Sequence, residues 1–298
     1  MTTILAAQRS ETPPRSPARI LLSRILGHRL GMIGIVVLVS MVALSLLAPF
    51  IAPYSPIEIG AGDILRPPGA GFWFGTDELG RDVLSRVLYG GRISIQLVGI
   101  AVMLAFVLGT ALGVVSGFFA GTTDAIIMRI TDAMLAFPAL ILALSIIALL
   151  GPSLANAMIA VAIINVSGFT RLVRGQVLAL RNIDFVRAAY LLGASDVRIM
   201  ARHVLPNVTG NLIVFGSLVA SQALITEAGL SFLGLGAQPP TPSWGLMIAT
   251  GVEYAQYPWM SFFPGAAIFL VVLSLNFIGD AVRDSLDARS RGLRAEPR

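Results

Sequence analysis

The feature that most constrains this chain is the length of its uncharged runs. Residues 31–51, 93–123, 133–170 and 204–226 contain no Asp, Glu, Lys or Arg. About 20 apolar residues in a helix cross a hydrocarbon core. The composition agrees, with 12% charged residues where soluble domains carry about 25%. The fold class expected is all-α, a polytopic membrane protein with six transmembrane helices.

The first span is expected over 31–51, closed by Pro49 and Pro53. The second lies within 93–123, with Gly117 and Gly121 at its exit. The run 133–170 is too long for one helix and suits a hairpin. Its helices are expected over about 126–149 and 154–170, joined at Gly151-Pro152-Ser153. The fifth span is expected over 206–228 and the sixth over 261–280. Residues 1–18 read as a polar tail, and 19–30 as a basic amphipathic helix suited to the headgroup layer. Residues 1–30 thus precede the first span. The polar excursion 52–92 offers Thr76 as N-cap of a second amphipathic helix lying on the membrane. Residues 92–284 form the expected core, followed by a tail over 285–298. Residues 229–260 hold four prolines and five glycines, so protein or water must cover that irregular backbone.

Arginine gives a direction. All 21 basic residues are Arg. Seventeen fall on the side of the two termini and four on the other, Arg66, Arg81, Arg86 and Arg92. Both termini are therefore expected in the cytoplasm. The same placement argues against nucleic acid as partner, despite the net charge of +5, and for membrane lipid.

Several chemistries lack their residues. There is no cysteine and no lysine. Thiolate metal sites, cysteine nucleophiles and a P-loop lysine are excluded. The two histidines, His28 and His203, are far apart in the expected topology, so no metal or catalytic site is expected. Asp132 is expected to pair locally with Arg129. Glu227 closes an uncharged run at the outward end of the fifth span, where an ionisable group suggests function unless it faces water. Gln96, Asn165, Gln222 and Glu227 are the candidate pathway-lining groups. Gly99, Gly109, Gly113, Ser116 and Gly117 are expected to pack helices together.

The segment RNIDFVRAAYLLGASDVRIMARHVLPN, residues 181–207, is expected to form two short helices. Asp184 starts the first, with Phe185, Val186, Ala189 and Leu192 on one face. Gly193 breaks it, Ser195 or Asp196 caps the next, and Pro206 ends the segment.

This segment resembles the EAA motif of ABC-importer permeases through Ala188, Ala189, Gly193, Ile199, Leu205 and Pro206. Arg187 stands where that motif usually has glutamate. FGTDELGRDVLSRVLYGGRISI (74–95) and LGLGAQPPTPSWG (233–245) resemble outward segments of the dipeptide/oligopeptide/nickel branch, the DppC/OppC-like permeases. The resemblance implies a type I ABC transmembrane domain in the bacterial inner membrane. It implies coupling to an ATPase through Arg187, Ala188, Ala189, Gly193, Ala194 and Ser195. It also implies a homologous permease partner, two ATP-binding subunits that hold the ATP, and an extracytoplasmic solute-binding protein. The substrates implied are dipeptides or oligopeptides, with nickel or glutathione as alternatives. An ion-coupled secondary transporter is the rival class, and the span middles lack its ionisable relays.

Overall fold

The computed structural model describes residues 28–294. Its helices are α1 (Arg29–Leu46), α2 (Ala48–Ile51), α3 (Val83–Phe119), α4 (Gly121–Leu135), α5 (Ala139–Leu150) and α6 (Leu154–Leu180). There follow α7 (Asp184–Leu191), α8 (Asp196–Ile199), a π-helical segment (Met200–Val204), α9 (Leu205–Phe232), α10 (Trp244–Glu253) and α11 (Trp259–Arg294). The polar tail and nearly all of the amphipathic helix expected over 19–30 lie outside the described residues.

Five helical runs are long and apolar enough to cross a membrane: α1, α3, α6, Asp196–Phe232 and Trp259–Ser285. The candidate for a sixth crossing is a bent pair. Helices α4 and α5 are bent by 95° relative to each other, which corrects the straight helix expected over 126–149. The break falls at Phe137-Pro138. Pro138 has no N–H for a helix and biases Phe137 away from helical backbone.

The start of α3 also differs from expectation. Thr76 caps nothing. Its hydroxyl is buried, donating to the Asp63 carbonyl at 2.5 Å and accepting from the Arg66 N–H at 2.8 Å. Asp82 is the N-cap: its Oδ2 accepts from the Ser85 N–H at 2.8 Å and the Ser85 hydroxyl at 2.7 Å. The helix then runs unbroken for 37 residues, roughly 55 Å at 1.5 Å each, against a core of about 30 Å. Residues 83–92 are therefore no separate helix on the membrane. They are the first turns of the span itself, standing clear of the hydrocarbon.

Helices α3 and α6 form the most extensive pair. A Cβ at Gly109 would lie 2.5 Å from Phe169 Cβ, at Gly113 2.6 Å from Val173 Cβ, and at Gly117 2.8 Å from Val177 Cβ. Glycines every four residues let the two backbones approach, the small-residue packing used between membrane helices. Gly99 contributes nothing to this seam, since no atom lies within 4 Å of its Cβ position. One buried cluster fills the middle and the lobe end of the bundle, around Leu97, Ile147, Val161, Leu224 and Trp244. A second lies at the α7 end, around Phe169, Val173, Val186, Ile199 and Leu212. Helix α1 lies along α11 and α3, and His28 at its N-cap approaches Asp284 Oδ2 at 3.5 Å.

Candidate functional site

The 181–207 segment folds much as its residues direct. Gly193 takes φ +79. Its N–H donates to the Tyr190 carbonyl at 2.9 Å, and the Ala194 N–H donates to the Ala189 carbonyl at 3.1 Å. These two bonds make a Schellman motif, which needs a left-handed residue at that position. Ser195 is the N-cap residue of α8, with no hydrogen bond from its side chain. Pro206 ends nothing. It sits in the first turn of α9, where a missing N–H costs little, and the π-helical segment carries the chain into that helix.

The seated face of α7 is narrower than expected. Val186 and Ala189 are buried in one apolar cluster with residues of α3, α6 and α9. Phe185 and Leu192 are exposed. At 100° per residue, the face opposite Val186 and Ala189 carries Arg187, Ala188 and Leu191. Leu191 is 89% and Leu192 87% exposed. Two large apolar side chains thus project from a polar loop, beside a small residue that lets another backbone come close.

What anchors this end was missed in the sequence. Arg174 on α6 holds Asp124 of α4 with two bonds, Nε to Oδ1 at 2.5 Å and Nη2 to Oδ2 at 2.6 Å. Ser116 donates to the same Oδ1. Asp132 pairs with Arg171 of α6 at 2.5 Å, not with Arg129. The signal available was that these charges flank the same uncharged hairpin. Tyr190 stacks on Phe118 with ring centroids 6.1 Å apart. Burial, aided by the neighbouring Asp196, raises the pKa of its phenol.

At the other end, residues 52–82 form a lobe around buried charge. Asp77 accepts from the N–H groups of Leu79 and Arg81, both at 2.9 Å. Its Oδ2 meets Arg81 Nε at 2.7 Å and Arg86 Nε at 3.2 Å. Arg81 also reaches Glu78 at 2.5 Å. Burial, and then the charge of Asp77, raise the Glu78 carboxyl above its ordinary range. The lobe is tied to the bundle by Trp259, whose Nε1 donates to the Thr76 carbonyl at 3.0 Å. Phe74 stacks on Phe263, centroids 3.8 Å apart.

The segments 74–95 and 233–245 meet here. Trp244 is buried, with Nε1 donating to the Val87 carbonyl at 2.9 Å. Its ring lies against Gly90 and Gly91, where a Cβ would come within 3.3 and 2.7 Å of ring carbons. In the irregular run 233–243, Gly236, Ala237, Pro242 and Ser243 are buried, while Leu233, Gly234, Gln238, Pro239 and Pro240 are exposed.

Glu227 corrects its expectation. It is 0% exposed, so in this conformation it neither lines an open surface nor faces water. Its Oε1 accepts from the Ser231 hydroxyl at 2.7 Å. Its Oε2 has no partner among the described residues. Gln96 stands about 200° around α3 from Ser94, in a groove of about 410 Å³ with Val42, Ser45 and Leu46 of α1. Gln222 is exposed, and half-buried Asn165 donates to the Val161 carbonyl at 2.7 Å. Asn156 ties the α5–α6 turn through the Leu150 and Gly151 carbonyls, both at 2.9 Å. No cluster of metal-ligating side chains occurs among the described residues.

Residues 109–292 match the family described as the binding-protein-dependent transport system inner membrane component. The chain belongs to this family. Residues 16–68 match the N-terminal transmembrane domain of oligopeptide transport permease C. The chain is 42% identical to the dipeptide transport system permease protein DppC of Alkalihalophilus pseudofirmus, over 93% of this chain and 91% of that one. It is 43% identical to the probable D,D-dipeptide transport system permease protein DdpC of Escherichia coli, covering 89% and 90%. It is 39% identical to the glutathione transport system permease protein GsiD of Pectobacterium atrosepticum, covering 92% of each. Among solved structures, a chain of the inward-facing MetNI methionine ABC transporter shares its fold. The TM-score is 0.53 at 18% identity, over 67% of this chain and 95% of that one. This permease is thus a multi-pass inner-membrane component of an ABC importer.

Proposed function

We propose that this permease carries dipeptides or short oligopeptides inward as one half of a translocation pathway. A homologous permease frames the other half. Two ATPase subunits dock at α7, and an extracytoplasmic binding protein delivers substrate at the opposite end, where the 52–82 lobe lies. The arginine asymmetry supports the direction, with α7 and both termini cytoplasmic. The relatives that transport dipeptides support the substrate class, and the glutathione relative keeps a tripeptide-sized cargo as the second reading.

One observation carries the proposal. The Val186–Ala189 face of helix α7 is buried in one apolar cluster with residues of α3, α6 and α9, while Ala188, Leu191 and Leu192 face outward. A push on the exposed face is therefore delivered to that cluster. Arg187, Ala188, Ala189, Gly193, Ala194 and Ser195 form the coupling contact. ATP is bound and hydrolysed on the partner subunits, and this chain transmits the movement. Gln96, Asn165 and Gln222 remain the pathway candidates on exposed or half-exposed faces.

Gly193→Glu tests the coupling role. No atom lies within 4 Å of the Cβ position at Gly193, so the variant strains one turn and places a carboxylate on the docking face. Membrane insertion should persist while ATP-driven peptide uptake by the assembled complex is lost. Normal uptake would refute the role, and uptake by this chain without ATPase subunits would favour a secondary transporter.

A further inference from the structure

Beside the α7 end, α3 and the run from α8 into α9 do not close on each other. They leave an apolar groove of about 430 Å³, lined by Phe106, Thr110 and Val114 on one side and Val197, Met200 and Leu205 on the other. Val197 and Leu205 are eight residues apart, so the groove runs roughly 12 Å along the helix axes. Exposed Val107, Leu108 and Leu112 surround it. In a membrane it opens on acyl chains.

One polar feature borders this apolar lining, and it is cationic. Arg198 and Arg202 follow the groove residues Val197 and Ala201, are exposed, and make no ion pair among the described residues. From mouth to floor the order is cation, then apolar wall. A glycerophospholipid presents the complementary order: phosphate, then acyl chain.

We propose that this groove binds one anionic glycerophospholipid. The phosphate sits on Arg198 and Arg202, which suit it by charge and by their planar donor forks. One acyl chain lies along Phe106 and Leu205. Basic pockets between helices at the cytoplasmic face hold acidic headgroups in this way. One wall is the π-helical segment, and such segments mark functional joints. The lipid therefore rests on the joint between α7–α8 and α9.

The test is lipid binding to the purified complex by native mass spectrometry, a readout independent of coupling and uptake. Dioleoylphosphatidylglycerol should be retained in preference to dioleoylphosphatidylcholine. R198Q/R202Q should weaken its retention about 30-fold, taking about 1 kcal/mol per arginine. A111W, which fills the groove from α3, should displace the lipid with both arginines present. Equal retention of the two lipids would overturn the proposal. So would unchanged binding in both variants. Glycerol 3-phosphate competing as well as the intact lipid would show a free-anion site instead. A cross-link from Ala111 to the second permease, with no lipid retained, would show that a partner helix fills the groove.

Discussion

Gly113 leaves no room for a methyl group. Its Cβ would lie 2.6 Å from Val173 Cβ and 2.7 Å from the Thr170 carbonyl. Gly113→Ala should therefore cost about 1–3 kcal/mol by overpacking, outweighing the gain of about 1 kcal/mol in helix propensity. Gly99→Ala, with open space around it, should be neutral or stabilising. Thermal unfolding in detergent checks the pair, and equal shifts for both would sink the packing account. Glu78 gives a pH dependence. Its carboxyl is raised above 4.5 in the folded protein, chiefly by burial. Such a group adds stability that is complete below the unfolded pKa and is lost as pH rises through the folded pKa. Opening of the 52–82 lobe, read by hydrogen exchange corrected for intrinsic rates, should become easier across that rise. Glu78→Gln should flatten the slope, and an undiminished slope would assign it to another group.

At the scale of elements, the positions of the long apolar helices were legible because they follow from uncharged length. The α7–Gly193–α8 break was legible for a similar reason: one glycine in one αL position dictates it. The break at Phe137-Pro138 was also written in the sequence, but a count of charges does not see it. The lobe was read wrongly for a physical reason. Asp77, Arg81 and Arg86 look like surface residues one at a time. Paired with each other, they are buried, and no local pattern announces a partner. The same limit hid Glu227, which is buried with the Ser231 hydroxyl as its partner. Trp244 joins three elements at this point, so its loss should be felt beyond α10. Trp244→Ala should cost about 3–5 kcal/mol and raise hydrogen exchange through residues 233–258. Trp244→Phe should cost about 1 kcal/mol, the worth of its bond to the Val87 carbonyl. Exchange confined to α10 in the alanine variant would show that the tryptophan does not hold the segment.

For the whole molecule, the direction of the bundle decides which end takes energy and which takes cargo. The chain offers a clean way to measure it, because it has no cysteine of its own and any introduced thiol is the only label site. Ile59 is 70% exposed on the lobe. Thr122 is exposed in the first turn of α4, at the opposite end, beyond the seam where Gly117 meets Val177. Among the described residues, neither belongs to a buried cluster or makes a side-chain hydrogen bond. With seventeen arginines on the α7 side and four on the other, the positive-inside rule places Ile59 outward and Thr122 in the cytoplasm. A membrane-impermeant maleimide should therefore label Ile59→Cys in spheroplasts and spare Thr122→Cys, and should do the reverse in inside-out vesicles. The opposite pattern would turn the molecule over, putting α7 where no ATPase could reach it and removing the basis of the coupling role. Labelling of both positions from one side would mean that α3, the one helix between them, does not cross, and would break the six-span count instead.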